Sequence, residues 1–173
     1  VTFVLRKVVR NRWHKHAYNP EFGWLANGEI SADPLRDLGT SKGVLSVYII
    51  DDPSNIVTLN RVTAGMACTT ESLSNFEYVL FSLDAIAQAG LRLHETLGDT
   101  PDSYVNDLHR DIIEITARKL VDLLHIVWDD VTPIRINEKD VLKHILAGVS
   151  SKYIEPSKIR ITSTKLRQAL DDL

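Results

Sequence analysis

The chain has 173 residues, 44% of them hydrophobic and 25% charged, and a formal net charge of −3. That length suits one domain with a core of its own, and the composition excludes disorder. The mild acidity gives no basis for general nucleic-acid or membrane binding, and a single cysteine, Cys68, excludes an internal disulfide or a thiolate zinc cluster. Cys68 follows the apolar run Ala64-Gly-Met-Ala67, so a buried, inert thiol is expected. No apolar run reaches the length of a membrane span and no basic-then-apolar leader precedes the first strand, so a cytosolic protein is expected.

Val1 to Arg10 alternates as a strand does, with Val1, Phe3 and Leu5 on one face and Thr2, Val4, Arg6 and Val8 on the other. Asn11 to Trp24 is aromatic and basic, punctuated by Pro20 and Gly23, and reads as a long loop. Glu29 to Leu38 holds a short helix with Asp33 as its cap and Pro34 in its first turn, before a flexible turn from Gly39 to Gly43. Val44 to Ile50 is the strongest strand, apolar on both faces as a strand covered on both sides would be.

A helix follows from Ser54 to about Thr69, with Ile56, Leu59, Val62, Thr63 and Met66 facing inward. Phe76 to Phe81 predicts a strand, Leu83 to Ala89 a helix closed by Gly90, and Leu91 to Glu95 a further strand. Strand–helix–strand–helix–strand is the pattern of a crossover-connected sheet. Thr100 to Trp128 then reads as one long central helix, because Thr100 can cap it and neither Gly nor Pro interrupts it after Pro101. Its apolar stripe runs through Val105, Leu108, Ile112, Ile115, Leu120, Leu123 and Val127. Asp129 to Pro133 breaks the chain, Asn137 with Asp140 caps a helix to about Val149, and Ser163 opens a last one. The expected fold is α/β or α+β: a mixed sheet of about four strands with the long helix packed on it. Residues 1–136 would form the core domain and 137–173 a C-terminal helical extension packed on it, in one domain overall.

Arg6, Arg10 and Arg12, with Lys7, Lys15, Trp13 and Tyr18, form the one cluster that mixes bases and aromatics. Guanidinium forks suit phosphate and aromatic rings suit base stacking, while the same mixture dominates protein–protein hot spots. Trp13, Tyr18, Phe22 and Trp24 would present that contact surface. His14 and His16 share one face of an extended segment, but a zinc site needs further ligands that nothing adjacent supplies. No metal site and no cofactor are expected.

His109 lies near the middle of the long helix's apolar stripe. There it is either a general base or ligand, or a core histidine bonded to a carbonyl or hydroxyl. Ser46 has no identified base, and Arg6, Ser46 and Glu77 come from three different strands. Phosphate-loop, dinucleotide-fold, nucleophile-elbow and His-Glu-x-x-His signatures are missing. Basic residues after Asn137 are interspersed with Asp140, Glu155, Asp171 and Asp172, so nucleic-acid readout is not expected.

The function expected from these features is a cytosolic regulatory or protein-interaction domain. It would contact a protein partner or a second copy through Arg6, Arg10, Arg12, Trp13, His14, His16 and Trp24. The alternative is a small enzyme or binding protein for a nucleotide or other phosphorylated ligand. It would use the N-terminal arginines and His109 as the catalytic residue.

Overall fold

In a computed structural model that describes residues 1–13, 29–40 and 43–173, the alternating N-terminal segment forms β1 (Phe3–Lys7), in the middle of a sheet. The apolar run expected as the strongest strand forms β2 (Leu45–Ile50) beside it, and β3 (Phe76–Ser82) flanks it on the other side. Three more strands, β4 (Arg92–Glu95), β5 (His109–Ile113) and β6 (Ile134–Ile136), complete the order β4-β5-β2-β1-β3-β6. Among the described residues the sheet therefore has six strands rather than about four, and every neighbouring pair is antiparallel rather than mixed.

The helices α1 (Ile56–Ala67), α2 (Leu83–Gln88), α3 (Ser103–Asp107), α4 (Ala117–Val127), α5 (Glu138–Ser150) and α6 (Thr164–Asp171) cover the sheet on both faces. Val4, Val47 and Val79 pack with Ile86 of α2 and with Leu123 and Val127 of α4. Leu5, Ile50 and Phe76 pack with Val62 of α1, Val105 of α3, Ile145 of α5 and Leu166 of α6. Alternation along each strand thus feeds two cores, one per face. β2 and β3 are both antiparallel to β1 and so run parallel to each other, joined by α1. The crossover expected from the sequence is present with β1 inserted between its strands.

The single long helix expected from Thr100 to Trp128 is corrected to helix, strand and helix: α3, β5 and α4. Asp102 caps α3 by accepting from the Tyr104 amide at 2.9 Å, and Thr116 caps α4 by accepting from the Lys119 amide at 3.2 Å. Between them Ile112, Ile113, Ile115 and Thr116 are β-branched and prefer extended backbone. Glu114 adopts a left-handed φ of 61°, which no α-helix accommodates. Its carboxylate joins Arg92 at 3.0 Å and Lys119 at 3.9 Å, tying the turn to its neighbours. Among the described residues no helix is long and apolar enough to cross a membrane.

Candidate functional site

The chain leaving β1 folds into a 3-10 turn, Arg10–Trp13, and a second such turn, Asp33–Arg36, places Asp37 against it. The Asp37 carboxylate accepts from the Val9 amide at 3.0 Å, from Arg12 Nη1 at 2.5 Å and from Trp13 Nε1 at 2.9 Å. Arg6 donates through Nε and Nη2 to the Asp37 carbonyl and through Nη1 to the Ser46 carbonyl. Burial pushes the Arg6 guanidinium below its ordinary pKa, and the Asp37 charge opposes that shift. Two of the three candidate arginines are therefore committed to the protein itself. Trp13 is 3% exposed and stacks with Trp128 at 6.5 Å, so its ring belongs to the core rather than to a contact surface.

Beside this knot a cleft of about 280 Å³ is lined by Arg6, Lys7, Val8, Val9, Arg36 and Asp37. Arg36 and Arg10 are exposed, and among the described residues neither side chain has an ionic or hydrogen-bonding partner. The Arg10 backbone amide donates to Glu77 Oε2 at 2.8 Å. The Lys7 ammonium lies 5.5 Å from the centre of the Phe76 ring. Partial loss of water, then repulsion from Arg6, lowers its pKa. Among the described residues, this turn thus presents Arg10 and Arg36 as cations whose side chains have no ionic partner.

His109 sits on β5 rather than on a helix and is 9% exposed. Its Nδ1 shares a hydrogen bond with Thr96 Oγ1 at 2.9 Å, and Nε2 lies 3.9 Å from Asp111 Oδ1. Tyr48 meets the imidazole edge-on at 5.2 Å. Burial, reinforced by Asp99 and Asp111, pushes the Tyr48 phenol up to about 12, so it stays protonated at neutral pH. Ser46 Oγ donates to Asp111 Oδ1 at 2.9 Å. The serine is bonded to the carboxylate and not to the imidazole, so the hydroxyl–base contact that activates a nucleophile is not formed. His94 faces Asp111 across β4 and β5.

Arg6 joins the two groups, because it binds the Ser46 carbonyl while the Ser46 hydroxyl binds Asp111. Glu77 stands apart, accepting from the Arg10 amide and lying 3.8 Å from Arg135. His14, His16 and Trp24 lie outside the described residues. Among the described residues no set of three His, Cys, Asp or Glu side chains converges to hold a metal. Sequence reasoning missed Asp37, Thr96 and Asp111. Only the His109-x-Asp111 spacing could have shown one of them, once the segment was read as a strand whose alternate residues share a face. Compared with protein-family models, with curated proteins and with solved structures, the chain matches none of them.

Proposed function

We propose that this chain is a cytosolic interaction domain that binds an acidic segment of a protein partner at the end of β1. One observation carries the reading: Asp37 gathers Arg12, Trp13 and Val9, while among the described residues the exposed side chains of Arg10 and of cleft-lining Arg36 have no ionic or hydrogen-bonding partner. The internal bonds hold the turn in place before any partner arrives, which reduces the ordering entropy that binding would otherwise lose. Exposed arginines on a fixed turn offer planar forks to carboxylates. The overall charge of −3 does not oppose this, because charges beyond about 8 Å are screened at physiological ionic strength. Trp13 and Arg12 are bound to Asp37, and among the described residues of the expected contact set Arg10 keeps an exposed side chain.

A fluorescein-labelled hexaglutamate peptide tests the reading by anisotropy. The wild-type chain is expected to bind it, with affinity falling as salt rises. The double variant Arg10→Glu, Arg36→Glu is expected to lose at least about tenfold in affinity while keeping its melting temperature. Undiminished binding by that variant would overturn the assignment. The second occupant of the same surface is a phosphorylated small molecule, favoured by the same guanidinium geometry. Inorganic pyrophosphate displacing the peptide and binding more tightly would favour that class.

A further inference from the structure

A cleft of about 550 Å³ lies on the other face of the sheet from Asp37. It opens where the end of α5 meets the loop into α3, held together by the Glu155 amide donating to the Pro101 carbonyl at 3.1 Å. Its volume falls within the range of small-molecule sites. Val149, Pro101 and Pro156 give it apolar walls, and Ser103, Lys152 and Lys158 supply polar groups. Lys158 is already neutralised by Glu155 at 2.6 Å. Lys152 has no side-chain partner among the described residues.

Lys152 also occupies a backbone position that favours glycine. The Lys152 amide donates to Val149 and the Tyr153 amide to Gly148, closing α5 with Lys152 at a left-handed φ of 64°. Ile154 folds back so closely that a Cβ on Gly148 would lie 2.5 Å from its Cδ1, which fixes this turn in place. Among the described residues, the other left-handed side chain, Glu114, is held by two ion pairs, whereas Lys152 is held by none. Attraction to the negative end of α5 favours a cation in this region but does not require it at this strained position.

We infer that this cleft binds a small amphipathic carboxylate, its anionic group on Lys152 and Ser103 and its apolar body against Val149 and Pro156. Hexanoate is the probe, titrated into the full isotope-labelled chain and followed by amide NMR, with 1-hexanol as the uncharged control. Saturable shifts are expected at Ser103 and from Lys152 to Glu155, with 1-hexanol at least about tenfold weaker. Lys152→Arg is expected to bind as the wild type does. Lys152→Gly is expected to bind about tenfold or more weakly while melting at the same or a higher temperature, which separates lost charge from lost fold. Failure of hexanoate to saturate, equal binding of 1-hexanol, or full binding by Lys152→Gly would each overturn the inference.

Discussion

Asp37 decides what the N-terminal basic cluster can do. Its carboxylate is 6% exposed and satisfies an amide, a guanidinium and an indole, so the residues around it form a support rather than an open grip. Trp13→Ala should therefore destabilise the fold by about 3–5 kcal/mol, since it empties a core position. Trp13→Phe should lose only about 1–2 kcal/mol, because the packing stays and one hydrogen bond goes. Urea unfolding midpoints check both values, and an unchanged midpoint for Trp13→Ala would return the indole to the surface. Arg6, Arg12 and Trp13 were visible in the sequence as a cluster. Their partner was not, because Trp13 and Asp37 are 24 residues apart and meet only when the second 3-10 turn docks. His109 was likewise found as a residue and misplaced as an environment. Its partner Thr96 becomes a neighbour only through pairing of β4 with β5, and Asp111 shares its face only once the segment is a strand.

At the scale of elements, the segment from Thr100 to Trp128 shows how helical periodicity can mislead. Its apolar spacing fits one helix, yet the caps at Asp102 and Thr116 and the left-handed Glu114 divide it. Neither glycine nor proline marks the break between α3 and α4, so the β-branched Ile112, Ile113, Ile115 and Thr116 were the remaining signal. Most other elements lie close to where periodicity put them, including α1, β3, α2, β4 and α5, because each has its own cap or turn residues. Asp102 is 0% exposed and pairs with Arg61 through two bonds at 2.6 and 2.8 Å. Arg61 lies between the Tyr104 and Tyr153 rings, each 4.5 Å away, which links α1, α3 and the end of α5. Asp102→Ala should lose about 3–5 kcal/mol, and Asp102→Asn less, since an amide oxygen still caps α3. Equal losses in urea unfolding would mean that the cap contributes nothing.

His144 on α5 provides a pH-dependent test at the same scale. Its Nδ1 is buried without a partner among the described residues, and desolvation lowers its pKa from the ordinary 6.5, with Asp140 opposing the shift and Lys143 adding to it. The unfolded chain then binds the proton more readily than the folded one. Stability from this group is complete above 6.5 and declines as pH falls through the depressed folded-state value. His144→Gln should flatten the fall in unfolding free energy between about pH 7 and about pH 5. An unchanged slope would contradict the buried assignment.

For the whole molecule, mixed α/β character and helical covering were legible because alternation and caps are local properties. Strand order was not, since antiparallel insertion of β1 between β2 and β3 depends on long-range pairing that periodicity does not encode. The same topology places the end of β1, with its knot around Asp37, beside exposed Arg10 and Arg36. In the proposed function this surface, and not the Trp13 ring or the His109 row, meets an acidic partner. The most direct measurement is an amide NMR titration of the isotope-labelled chain with hexaglutamate peptide. Saturable shifts are expected at Val9, Arg10, Asn11 and Arg36, with the amides of His109 and Lys152 unmoved. Shifts centred elsewhere, or none at concentrations that saturate the anisotropy signal, would contradict it.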